Sequence, residues 1–213
     1  MSNAAPVSGS DGHALSPGRR PAYAHRMKPP VNDAELMLRY KRGDLAAFET
    51  LYRRHNDALY RYLLRLSRNP DTAADVFQDA WSKIIASRDR YRPTATFRTF
   101  LFRVAHNCFI DQLRRSQRRP PAGEKDPDTL EAPLSDPLGH ASMSEDRARL
   151  LSALNTLPEA QQHAFLLHQE AGLSIAQIAE ATGVNKETAK SRLRYAMNKL
   201  KRLLQQPDGN PAP

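Results

Sequence analysis

The sequence predicts an all-α protein of two small helical domains joined by a flexible linker, and three observations lead there. Valine and isoleucine number ten in 213 residues, while alanine and leucine number fifty-four. That balance starves a sheet and feeds helices. Apolar residues recur at alternating spacings of three and four over long stretches, and turn-forming Gly and Pro separate those stretches.

Charge divides the chain. Residues 1–32 carry +3, 33–119 carry +8, 120–148 carry −5 and 149–213 carry +3, for a net +9. Residues 1–31 mix Pro, Gly, Ser and Ala without helical periodicity, so a disordered tail is expected there. The acidic stretch 120–143 holds five prolines and few large apolar residues, the composition of a linker between two basic domains, 32–119 and 144–206. A short tail, 207–213, closes the chain.

In the first domain, Asn32 and Glu35 form a capping-box-like pair that starts a short helix, and Gly43 stops it. A longer helix follows, with Leu45, Phe48, Tyr52, His55, Leu59, Tyr62 and Leu66 on one apolar face, broken at Asn69-Pro70. The next, from Asp71 to about Ser87, is expected to bury Ala73, Val76, Phe77, Ala80, Trp81, Ile84 and Ile85. Asp75, Gln78, Asp79, Ser82 and Lys83 then face outward. A polar loop over 88–95 leads to a last helix from near Thr96, with Phe97, Leu101, Val104, Ala105, Cys108 and Leu113 inward.

The second domain opens near Ser144 with Leu150, Leu151, Leu154 and Leu157. Pro158, at a first helical position, starts another helix that stops at Gly172. Ser174 and Gln177 form a capping box, with Leu173 and Ile178 stapling across it. After the turn Thr182-Gly183-Val184 a basic helix runs from about Lys186, expected to bury Ala189, Leu193, Met197, Leu200 and Leu204. Helix, Gly-containing turn and basic helix are the signs of a helix-turn-helix.

Three surfaces can carry chemistry. Lys186, Glu187, Lys190, Ser191, Arg192, Arg194 and Asn198 lie on the exposed side of the last helix, where such groups can hold phosphates and bond base edges. A solvated basic face would show the same pattern. Arg103, Asn107, Asp111, Arg114 and Arg118, continued by Phe100, form a stripe suited to tracking a backbone and stacking unpaired bases, or simply a solvent face. The Asp75/Gln78/Asp79 surface is either solvated or a partner site. The chain holds no Walker-type loop, Ser-Gly nucleophile elbow or HExxH, so no enzyme chemistry is expected. A single cysteine excludes an intramolecular disulfide, and neither a metal nor a cofactor is expected. No apolar run approaches about 18 residues, so a cytoplasmic protein without membrane insertion is expected.

Two motif sets together resemble a known family. Asp75-Val76-Phe77-Gln78-Asp79-Ala80-Trp81, then Phe97-Arg98-Thr99-Phe100-Leu101-Phe102-Arg103-Val104-Ala105-His106-Asn107, then Asp111-Gln112-Leu113-Arg114-Arg115, resemble region 2 of bacterial sigma-70-type factors. Leu157-Pro158-Glu159, Ile178-Ala179 and Thr188-Ala189-Lys190-Ser191-Arg192-Leu193 resemble region 4. The presence of these two regions alone is similar to the extracytoplasmic-function (ECF) subgroup. The chain departs from the family pattern at Ala74, Gln177, Phe100, Tyr195 and Met197, where an acid, Glu, Trp and two basic residues are common.

The resemblance implies an alternative sigma factor that binds core RNA polymerase, at the clamp of the large subunit and at the flap, and that directs promoter-specific initiation. An anti-sigma factor is a further possible partner. Asp75, Gln78, Asp79 and Lys83 would dock on the clamp. Arg90, Arg92, Phe100, Arg103, Asn107, Arg114 and Arg115 would take the −10 element, with Asn107 reading a base and Arg103, Arg114 and Arg115 on phosphates. Lys186, Glu187, Lys190, Ser191, Arg192 and Arg194 would read the −35 element. Such factors hydrolyse nothing: extruding a base costs a few kcal/mol, and each stacked base returns about 1–3 kcal/mol.

Overall fold

The computed structural model describes residues 31–118 and 143–205. Among them every regular element is helical: α1 (Asp33–Lys41), α2 (Leu45–Ser67), α3 (Pro70–Ala86), α4 (Phe97–Arg118), α5 (Met143–Asn155), α6 (Glu159–Gln169), α7 (Ile175–Thr182) and α8 (Lys186–Gln205). The expected tails and the acidic linker lie outside the described residues.

Local chemistry sets the helix starts. Asn32 Oδ1 accepts from Glu35 N at 2.8 Å, Asp44 Oδ1 from Ala47 N at 3.1 Å, and Asn69 Oδ1 from Thr72 N at 2.8 Å. Each satisfies an amide that has no intrahelical partner. Pro70, which lacks that amide, is the first residue of α3 rather than the breaker before it. Pro158, by contrast, is the cap before α6 and not its first residue. The loop over 88–95 contains a 3-10 turn, Arg88–Arg90, which the polar composition had hidden.

Helices α1 to α4 enclose Leu51, Leu59, Tyr62, Leu63, Ile84, Phe97, Leu101 and Phe102, all at 2 % exposure or less. An aromatic group extends that core: Trp81 meets Phe48 edge-on at 5.7 Å and Tyr52 at 5.0 Å between centroids. Asp33 clasps α1 to α2 through Arg54 at 2.8 Å and the buried His55 at 2.7 Å. Helices α5 to α8 pack around Leu154, Leu166, Leu167, Ile178 and Leu200.

Among the residues expected inward, four are exposed and Phe77 is only partly covered. Leu45, at the first position of α2, and Ile85, at the end of α3, are 69 % and 44 % exposed, because helix termini project past the core that their middles cover. Phe77 is only half-buried, its ring between Tyr52 and Tyr60. On α8 the buried row is Ala189, Leu193, Ala196 and Leu200. The row steps by three after Leu193, which leaves Met197 and Leu204 exposed and lets the small Ala196 bring α8 close to its neighbours.

Candidate nucleic-acid interface

The turn after α3 and the start of α4 form a cleft of about 300 Å³, lined by Ser87, Arg90, Tyr91, Arg92, Thr94, Ala95, Phe100 and Arg103. Four expected site residues, Arg90, Arg92, Phe100 and Arg103, therefore converge. Phe100 lies between ring and cation contacts, its centroid 5.5 Å from that of Tyr91 and 5.7 Å from the Arg103 guanidinium. Tyr91, a residue of the polar loop that the site residues flank, is buried at 5 % exposure, and its hydroxyl has no hydrogen-bond partner among the described residues. Thr96 anchors the start of α4, its Oγ1 accepting from Thr99 N at 3.2 Å.

Asn107, one turn beyond Arg103, points into solvent, as do Arg114 and Arg115 further along α4. Asp111 on the same stripe is half-buried, 3.9 Å from both Lys83 and Arg114, so it restrains cations instead of repelling a backbone alone. On α3, Asp75, Gln78, Asp79 and Lys83 are exposed. The exposed Ile85 lies seven residues after Gln78 and hence on the same face.

The helix-turn-helix is built as expected. Ser174 and Gln177 exchange both capping-box bonds, and Leu173 and Ile178 are buried beneath them. Gly183 ends α7 at φ +70°, a conformation that favours glycine. Asn185, not anticipated, caps α8 by accepting from Thr188 N at 2.7 Å.

On α8, Lys186, Glu187, Lys190 and Arg194 are exposed, and the Arg194 guanidinium sits 5.1 Å over the Tyr195 ring. Ser191 is half-buried and donates to Thr188 O at 3.0 Å. Arg192 is also half-buried and lines a cavity of about 230 Å³ with His106, Ile110, Glu159, Ala160, His163 and Thr182. It thus faces α4 rather than the outer side of α8.

Contacts between α1–α4 and α5–α8 are the feature that the sequence concealed. Glu170, its side chain 7 % exposed, pairs with Arg61 and Arg65 at 3.0 Å each. Arg98 donates to Ala171 O at 3.1 Å, and Gln177 Nε2 to Thr96 Oγ1 at 3.3 Å. Arg103 lies 3.4 Å from Glu180. His163 meets His106 edge-on at 5.0 Å and Phe109 at 5.7 Å. Burial, aided by the charge of Arg192, holds His106 down to about 4. Burial, then His106 and Arg192, hold His163 down to about 3.

A helical bundle with an arginine-lined aromatic cleft, joined to a helix-turn-helix, defines the class of promoter-recognising transcription proteins. Residues 51–119 match the family Sigma-70 region 2, and residues 147–200 match Sigma-70, region 4. The chain is similar to the ECF RNA polymerase sigma factor SigM of Mycobacterium tuberculosis, 33 % identical over 187 residues, covering 88 % of this chain and 92 % of that one. It is also similar to the RNA polymerase sigma factor CarQ of Myxococcus xanthus, 32 % identical over 171 residues, covering 79 % and 95 %. Among solved structures, the sigma factor RpoE in complex with the anti-sigma factor NepR from Bartonella quintana superposes with a TM-score of 0.62 at 28 % identity, covering 74 % of this chain and 96 % of that one. The chain belongs to the sigma-70 family, among the ECF RNA polymerase sigma factors, and is an alternative sigma factor directing promoter-specific transcription.

Proposed function

We propose that this sigma factor works without catalysis, in the cytoplasm, through three separate surfaces. The observation that carries the reading is the cleft of about 300 Å³ between Arg90, Tyr91, Phe100 and Arg103. It has the size for one unstacked base, an aromatic ring to stack on and three arginines at its rim for the flanking phosphates. Asn107, with a donor and an acceptor on one exposed amide, reads a neighbouring −10 base, and Arg114 and Arg115 extend the phosphate track. On α8, Lys186, Glu187, Lys190 and Arg194 meet the −35 element in the major groove, with Ser191 beside them and Arg192 held at the flank. The outer face of α3, Asp75, Gln78, Asp79 and Lys83, docks on the polymerase clamp. The exposed Ile85 on that face adds the apolar contact a protein partner needs.

Transcription from bacterial core polymerase plus this protein, on a library of promoter templates, tests the reading. Initiation should depend on the added chain and on both promoter elements. Reversing Asp75 and Asp79 to Lys should weaken core binding while leaving the helical content unchanged, since both side chains are exposed. Undiminished core binding by that double variant would remove α3 from the docking surface.

A further inference from the structure

The buried apolar residues of α1–α8 form one continuous cluster, and the cavity of about 230 Å³ beside it is polar. Arg192 from α8, His106 from α4 and His163 from α6 converge there. We propose that this cavity is a binding site for a phosphate-type oxyanion, either inorganic phosphate or the terminal phosphate of a small monoester. It shares no lining residue with the cleft around Phe100, and neither the DNA surfaces nor the outer face of α3 use its two histidines.

The walls supply donors. Arg192 is half-buried, yet no carboxylate among the described residues pairs with it. Its guanidinium offers planar N–H groups that an oxyanion can meet in pairs. His106 Nδ1 lies 3.3 Å from Tyr62 Oη. Burial keeps that phenol protonated, so it donates to Nδ1 and leaves the proton of the neutral ring on Nε2. His163 is 4 % exposed and has no hydrogen-bond partner among the described residues. Glu159 Oε1 stands 3.8 Å from its Nε2, beyond hydrogen-bond reach. A buried imidazole that lines a cavity and bonds nothing is an unused donor.

Helix α6 begins at the same cavity. Glu159 and Ala160, its first two residues, line the wall, and Pro158 before them gives no side-chain cap. The start of α6 therefore adds uncapped amides and the positive end of a helix dipole. Thr182, whose hydroxyl is spent on Ile178 O at 2.8 Å, adds shape rather than a donor.

The field in the cavity has the sign an anion needs. Burial pushes both histidines down, and the charge of Arg192 pushes both further the same way. Glu159 offsets little of that charge, because its side chain is 62 % exposed and water screens it. Two neutral imidazoles and a carboxylate would also suit a divalent cation, but Arg192 repels one. Among the described residues, moreover, no group of three or more His, Cys, Asp and Glu is placed to hold a metal ion. Size limits the ligand. At about 30 Å³ per water the cavity holds roughly seven waters, so it takes a tetrahedral oxyanion with some of its hydration and leaves any organic portion outside.

The full chain, free of polymerase, provides the test. It is titrated with sodium phosphate against sodium chloride at matched ionic strength and about pH 7.5, where phosphate is mostly dianionic, while imidazole resonances are followed by NMR. Phosphate should shift His106 and His163 and leave His55, which is enclosed between α1 and α2, unmoved. His163→Phe keeps the ring but removes a hydrogen bond to the charged ligand, so it should weaken binding about ten-fold or more. Arg192→Gln, at a half-buried position, should weaken it at least as much, and keeps the comparison open should His163→Phe lose helical signal. Adenosine monophosphate in place of phosphate separates the two sources: a shift of the same two resonances assigns the site to a monoester's terminal phosphate, and no shift assigns it to the free ion. Equal shifts in chloride, affinities unchanged in both variants, or a response to zinc chloride but not to phosphate would overturn the proposal.

Discussion

Acidifying the free chain from about pH 7.5 to about pH 5.5 should loosen the packing of α4 against α6, and two histidines set the amount. His106 and His163 are 8 % and 4 % exposed and pack edge-on at 5.0 Å. Their values in this packing, about 4 and about 3, both lie below the ordinary value of about 6.5. The groups facing them are Arg192 from α8, Glu159 from α6, 3.8 Å from His163 Nε2, and Tyr62 from α2, its hydroxyl 3.3 Å from His106 Nδ1. Tyr62 stays protonated throughout, since burial raises its value far above this range.

The sign follows from which form refuses the proton. Well above about pH 6.5 both rings are neutral whether packed or exposed, and the contact keeps its full stability. As pH falls from there toward about 4, the opened rings take protons that the packed rings do not, and stability is lost. Each histidine contributes 1.36 kcal/mol per pH unit, so at about pH 5.5 the pair removes close to 3 kcal/mol. That figure is an upper bound, because an opened ring keeps its neighbours on its own helix. It exceeds what the exposed Arg103–Glu180 pair supplies, about 0–1 kcal/mol, and acts against the nearly buried Glu170 pairs as well. The radius of gyration across a pH series is the assay. His163→Phe, which keeps a flat ring against His106 and Phe109 but cannot titrate, should show about half the pH slope. A radius that stays constant to about pH 4.5, or a His163→Phe series that superposes on the wild type, would refute the reasoning. His55, also held low by burial, lies between α1 and α2 and bears on the stability of that bundle instead.

Three further outcomes are expected. Asn107→Ala should relax preference at one −10 position, while Arg114→Ala weakens every promoter alike and flattens the salt dependence; equal losses on all promoter variants for both would erase the distinction. Arg194→Ala should cost about 1–3 kcal/mol at one −35 position if its guanidinium leaves Tyr195 to read a guanine, and −35 sequences selected with this holoenzyme that match the wild type at every position would make it a bystander. Gly183→Ala should lower the stability of α5–α8 by about 1 kcal/mol in thermal melts, the cost of φ +70° for an L side chain, since no atom lies within 4 Å of the added methyl; an unchanged melting temperature would contradict it.

Much of the candidate site was legible because its signals are local. The capping box at Ser174 and Gln177, the turn at Gly183 and the stripe from Phe100 to Arg118 rest on neighbours three or four residues apart, within the reach of about one helical turn. Where the periodicity misled, the helix was at its margin. Leu45 and Ile85 continue an apolar row past the end of the core, and Met197 fits the spacing that Ala196 takes. A row of four-residue steps drifts around a 3.6-residue helix, and only the neighbouring helix decides where the compensating step of three falls.

Composition and short-range pattern by themselves determined that this chain is helical, that it carries two basic halves, and which side of α3, α4 and α8 holds its polar chemistry. Tertiary structure alone decided how those sides are used. It folded residues 88–95 over Phe100 to make a cleft, turned Arg192 inward, and set Glu170 on Arg61 across 109 residues and His163 on His106 across 57. Helical periodicity assigns a side chain to a face, but it carries no information about what that face will meet. The meeting is a property of packing, where the cost of burying a charge or an imidazole is balanced only once its distant partner has arrived.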